Sequence, residues 1–257
     1  MAAAADAAPG AAPASSDPAG RRLGWVGLGF FAFCFLVGLL AASILGLTWA
    51  GTRGLDQAEV KGDLGFSVFS SIGLWIGFLG LPLLWSWRLG GPGRVLGLRA
   101  RWTDVPLGLA VGLGTTLVTG LVSSSLLSTR EQDALELKAQ ETVDRASGPG
   151  AVVLLILVIC VATPIAEEVF FRGLLFGSLS RVSRLAVAVP LAGMVFGLVH
   201  YDPEPVPAEV LAVQLGLLGL FGVVLCLVAQ RTGRLAAGIV AHAAFNSVTV
   251  LTLLLSR

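Results

Sequence analysis

Glu167, His200, His242 and Asn246 stand out because each interrupts an otherwise apolar stretch of this 257-residue chain. Ionisable groups at bilayer depth cost at least a few kcal/mol each and by default mark a functional site. The segment "EEVFFR" carries Glu167, Glu168 and Arg172, "FGLVH" ends at His200, and "HAAFN" runs from His242 to Asn246. No other histidine occurs in the chain. An unpaired carboxylate, two imidazoles and an amide are the parts for activating water against a carbonyl. The carboxylate takes a proton from water, and imidazole and amide N–H groups meet the charge that develops on the carbonyl oxygen. That is peptide hydrolysis without a serine or cysteine nucleophile.

Helical geometry sorts these groups. Glu168 and Arg172 are four apart with the carboxylate first, the favourable order for an intrahelical ion pair. Glu167 is turned about 100° away from that pair and has no local partner. His242 and Asn246 share one helix face, and Phe196 lies one turn before His200. At about 1.5 Å per residue, Glu167 lies about 20 Å from the inner end of its span, His200 about 24 Å, His242 about 12 Å and Asn246 about 18 Å. All four can therefore meet at mid to outer depth. The bland alternatives are a structural Glu168–Arg172 pair, an interfacial His200 and a packing hydrogen bond from Asn246. Three helices would then each carry an unrelated polar cost, so a common site is expected.

A zinc site from Glu167, His200 and His242 is a second arrangement of the same groups, since one Glu and two His can hold zinc with one position open. The spacing does not decide between the two. No His-Glu-x-x-His, Gly-x-Gly-Asp or Gly-x-Ser-Gly motif is present.

The elements that must position these groups are apolar helices. The chain is 55% hydrophobic and 13% charged, against roughly 25% charged in an ordinary soluble domain, so the fold class is an all-α polytopic membrane bundle. About seven spans are predicted, near 23–50, 64–87, 104–128, 150–180, 185–200, 208–230 and 235–255. Pro164 is expected to kink or break the fourth. Residues 1–22, built of Ala, Pro, Gly and Ser, read as a disordered tail rather than a signal peptide. Residues 23–128 form the N-terminal spans, 129–149 an amphipathic connection with Leu135, Ala139, Val143 and Ala146 at helical spacing, and 150–257 the core that holds the polar set. The connection is read as a solvated helix, with an interfacial helix guarding a cavity as the alternative.

A net charge of +1 gives no sign of a nucleic-acid partner. Cys34, Cys160 and Cys226 read as small buried hydrophobes. Trp25, Trp49, Trp85, Trp87 and Trp102 fall near span ends, as interfacial anchors do. Gly73 with Gly77, Gly108 with Gly112 and Gly193 with Gly197 have the spacing of close helix contacts. With the N-terminus inside, ten Lys and Arg fall on inner segments and six on outer ones, which orients the N-terminus to the cytoplasm. High Ala, Gly and Arg with two Lys points to a bacterial plasma membrane.

Glu167-Glu168-x-x-x-Arg172, Phe196-x-x-x-His200 and His242-x-x-x-Asn246, in this order on successive helices, closely resemble the three motifs of the CPBP family, the CAAX prenyl protease and bacteriocin-processing group also called Abi proteins. The resemblance covers about residues 150 to 255. It implies a membrane endopeptidase acting on membrane-associated proteins or peptides, with its site in a cavity within the bilayer. Glu167 would be the water-activating base assisted by His200, His242 and Asn246 the oxyanion donors, and Glu168 and Arg172 the support. Members have been called metalloproteases, so a divalent metal such as zinc stays an alternative to the glutamate mechanism. Two other classes compete: a non-catalytic immunity or scaffold protein on the same frame, and a proton-coupled carrier that uses Glu167 and the histidines as a relay. An intact motif trio argues against the first, and the absence of a visible repeat against the second.

Overall fold

A computed structural model describes residues 17–202 and 206–256, with no strand among them. The helices are α1 (Pro18–Arg53), α2 (Gln57–Gly62), α3 (Leu64–Arg88), α4 (Pro92–Val95), α5 (Asp104–Leu126), α6 (Thr129–Asp144), α7 (Pro149–Val182), α8 (Leu185–Leu198), α9 (Ala208–Thr232) and α10 (Ala236–Leu255). Six of them, α1, α3, α5, α7, α9 and α10, are long and apolar enough to cross a membrane. The shorter apolar α8 makes the seventh element of a polytopic all-α membrane bundle. It stops at Leu198, so His200 sits just beyond its end, in a turn whose amide donates to the Gly197 carbonyl at 3.1 Å.

Helix α1 starts earlier than its apolar run. Asp17 caps it, accepting from the amides of Ala19 and Gly20 at 3.2 and 3.1 Å, and Pro18 occupies the first turn, where no amide donor is needed. Residues 18–22 are therefore helical rather than tail, and residues 1–16 lie outside the described residues.

Close helix contacts set the architecture, and the three glycine pairs make them. A methyl group on Gly108 would lie 2.6 Å from the Ala237 carbonyl, and one on Gly112 would run into the Ala241 carbonyl, so α5 and α10 lie side by side and parallel. Gly193 and Gly197 seat α8 antiparallel on α9, where added methyls would come within 2.8 Å of Gly219 O and 2.5 Å of Leu215 O. Gly73 and Gly77 do the same for α3 against Ala41, Ala42 and Cys34 of α1. Dispersion at such close approach takes the place of the hydrophobic drive that lipid abolishes.

The α5–α10 contact is locked at one end by a pair that sequence spacing does not show. Arg234 donates from Nη2 to Asp104 Oδ1 at 2.6 Å and from Nε to Oδ2 at 3.0 Å. Asp104 also accepts from the Arg101 amide at 2.7 Å, and the Asp104 bond holds Arg234 above the ordinary arginine range. Leu235 donates its amide to Gly97 O at 2.9 Å.

Trp49 and Trp85 are half-buried at their span ends: Trp49 donates to Asp63 at 2.8 Å and stacks on Phe69, and Trp85 lies 5.1 Å from the Phe30 ring. In α6, Ser128 and Glu131 form a capping box. Val143 and Ala146 near its end are buried, whereas the side chains of Leu135 and Ala139 lie outside the described residues. The cysteines are free and buried as expected.

The fork at Asp104 yields a test. Asp104→Ala leaves a partly buried guanidinium unpaired and is expected to cost about 3 kcal/mol. Thermal unfolding in detergent reads the loss, and Arg234→Ala added to it should cost little more, because the pair acts as a unit.

Candidate active site

The four helices α7 to α10 bring the polar set together. Glu167 Oε2 lies 3.7 Å from His242 Nε2 and 4.0 Å from His200 Nε2. These groups, with Asn246, line one cavity of about 360 Å³ whose walls include Phe196, Phe221 and Phe245. That is room for several waters or a short run of peptide. Glu167 Oε2 is buried and has no hydrogen-bond partner.

Glu168 does not share that cavity. Its side chain is fully buried and pairs with Arg172 Nη1 at 2.8 Å. The pair is not self-contained, as helical spacing alone implied. His242 Nδ1 lies 3.2 Å from Glu168 Oε1, so the adjacent acids approach opposite nitrogens of one ring. Gly238, one turn before His242, makes room for this: a methyl there would lie 2.9 Å from Glu168 Oε2. Arg172 in turn reaches the Gly222 carbonyl at 3.4 Å and sits 4.2 Å above the Phe196 ring. A cation on an aromatic face in a desolvated place contributes about 2 kcal/mol.

Phe196 and Phe221 orient the imidazoles. His200 Nδ1 lies 2.7 Å from the Phe196 carbonyl, which can only accept, so Nδ1 donates. In neutral His200 the lone pair is then on Nε2, facing Glu167. His242 stands edge-on to Phe221 at 5.4 Å and 90°.

Pro164 explains the amide. The helix does not break at it: α7 is continuous and widens into π-helical turns over Leu157–Ala162 and again over Glu168–Phe176. In the first, Thr163 donates to Val158 O, a five-residue step. The next such bond would run from residue 164 to Ile159 O, and proline has no N–H. Asn246 Nδ2 fills that place at 2.9 Å. One amide proton of Asn246 is thus spent on the helix, and the other is left for the cavity.

Among the described residues, no group of three or more His, Cys, Asp or Glu is arranged to hold a metal ion. The trio Glu167, His200 and His242 in this arrangement is no exception.

Residues 149–248 match the family described as Type II CAAX prenyl endopeptidase Rce1-like. Over these 100 residues the chain is similar to an Rce1-like domain. The segment spans α7 to α9 and most of α10, and it contains all six residues singled out from the sequence. The match supports an intramembrane protease family and bears out the resemblance drawn from the three motifs. No curated protein and no solved structure matches the chain. Sequence spacing missed Gly238, Gly222 and the Pro164–Ile159–Asn246 relation in the Rce1-like domain. Only Gly238, four residues before His242, and Pro164, five after Ile159, left a positional trace.

Pro164→Ala would restore a competing donor for Ile159 O and release the amide. A fall in kcat of about 10-fold or more is expected, of the size that small misplacements cause. In an Asn246→Ala background the same change should have little further effect, a double-mutant cycle that a general folding defect would not produce.

Proposed function

We propose that the chain is an intramembrane endopeptidase that hydrolyses peptide bonds of membrane-associated proteins or peptides with water activated by Glu167. The convergence of Glu167 with two imidazole Nε2 atoms on one apolar-walled cavity carries the reading.

The 4.0 Å between Glu167 Oε2 and His200 Nε2 is too long for a direct hydrogen bond and suits one bridging water. Such a water donates one proton to each acceptor and presents its lone pair to the cavity. As it attacks a substrate carbonyl carbon, its proton passes to Glu167. The carbonyl oxygen becomes an oxyanion within reach of the free amide proton of Asn246 and of His242 Nε2. Because His242 Nδ1 already faces Glu168, Nε2 donates only when the ring carries both protons, and the Glu168 carboxylate is the counter-charge for that cation. Collapse of the tetrahedral species breaks the C–N bond, and Glu167 returns its proton to the leaving amine. One water is consumed, and a carboxylic acid and an amine are released. Glu168 and Arg172 act through His242 as positioning residues.

The bias of Lys and Arg toward one set of loops supports a cytoplasmic N-terminus, and the composition supports a bacterial plasma membrane.

Purified protein incubated with membrane-anchored peptides should lose about 10²-fold or more of its cleavage rate in Glu167→Gln, which keeps the shape and removes the base. Equal cleavage by parent and variant would reject the assignment. Exhaustive chelation is expected to leave the parent's rate unchanged; loss on chelation with recovery on adding zinc would transfer the role of Glu167, His200 and His242 to metal binding.

A further inference from the structure

Between α3 and α7 lies a second cavity of about 150 Å³, walled by apolar side chains that include Leu155 and Ile159. Its polar groups are Ser67, Ser71 and Arg145. Arg145 enters from just past the end of α6. It donates from Nη1 to Ser67 Oγ at 3.1 Å, and its Nε is buried with no hydrogen-bond partner. The serine protons are spent on their own helix, Ser67 on Asp63 O at 3.3 Å and Ser71 on Ser67 O at 2.8 Å. A neutral hydroxyl is no counter-charge for this half-buried guanidinium, and the unspent Nε–H is suited to an oxygen of a carboxylate or phosphate.

Depth gives the slot a direction. Ser67 lies about 4.5 Å along α3 from Leu64, whereas Ile159 lies about 15 Å along α7 from Pro149. The charge is thus near the helix ends and the apolar walls run inward, as head and chain are ordered in a lipid leaflet. A cavity of about 150 Å³ takes an apolar group of about six carbons.

We propose that this slot binds an acidic membrane amphiphile, its phosphate or carboxylate head on Arg145 and the first carbons of its alkyl chain between α3 and α7. Ile159 lines both cavities, and its carbonyl holds Asn246. Occupancy therefore bears directly on the anchor of the amide.

Full-length protein in neutral detergent can be titrated with phosphatidylglycerol, phosphatidylcholine and decanoate, with binding read by native mass spectrometry. Phosphatidylglycerol, decanoate or both should be retained and phosphatidylcholine not. Arg145→Gln should weaken retention about tenfold or more, and Leu155→Phe, which fills the slot and leaves Arg145 in place, should abolish it. Retention of phosphatidylglycerol alone assigns a phosphate head, and of decanoate alone a carboxylate. Equal retention of phosphatidylcholine, no retention of either acid, or retention unaltered in Leu155→Phe would overturn the proposal. So would displacement only by a soluble peptide with a free C-terminal carboxylate, which would make the slot a substrate subsite. Should Arg145→Gln fail to fold, Leu155→Phe carries the test.

Discussion

The buried ion pair between Glu168 and Arg172 is the constraint around which the rest of the bundle is arranged. Two unit charges removed from water are tolerable only when each finds a counter-charge and further polar contacts. Arg172 obtains them from Glu168, the Gly222 carbonyl and the face of Phe196. Glu168 obtains them from Arg172 and His242. These contacts come from α8, α9 and α10, so meeting the electrostatic need of one helix fixes the positions of three others. With His242 turned by Glu168, its other nitrogen has to face Glu167. The pair thus shapes the site without entering it.

Backbone chemistry supplies a second layer of positioning. Lipid offers no water to a stray carbonyl, so any group that a helix fails to satisfy must be met by a neighbouring side chain. Pro164 creates one such carbonyl at Ile159, and Asn246 answers it. Wide turns on either side of Glu167 let the chain pass the proline without breaking. Glycines then decide how near the neighbours come. Gly108 and Gly112 seat α10 by Ala237 and Ala241, directly before His242, while the Asp104–Arg234 fork stops α10 from sliding. The Rce1-like domain therefore depends on α5, which lies outside the matched residues.

Much of the frame was legible because lipid imposes simple rules. Long apolar runs marked the helices, small residues four apart marked the close contacts, and polar residues inside such runs marked the groups that meet at one cavity. Other features were not legible for equally physical reasons. Asp104 and Arg234 sit at helix ends, where charged residues are ordinary, so nothing flagged their 130-residue pairing. Trp49 and Trp85 have the positions of anchors, and the structure adds the groups they touch, Asp63 and the Phe30 ring. The first turn of α1 came from an Asp17 cap on a Pro18 start, a local signal hidden within a stretch of Ala, Pro, Gly and Ser.

The sequence by itself determined the class of the molecule, the order of its helices and the identities of the six polar residues, because hydropathy and helical period are properties of neighbours along a chain. Tertiary structure alone decided that Glu167 faces the cavity while Glu168 is sealed away, that one imidazole lies between them, and that half of Asn246's amide serves Ile159. Those outcomes are choices among partners about 70 to 90 residues apart. Each follows from satisfying buried charge and hydrogen-bonding capacity across helices, which periodicity along one helix does not encode.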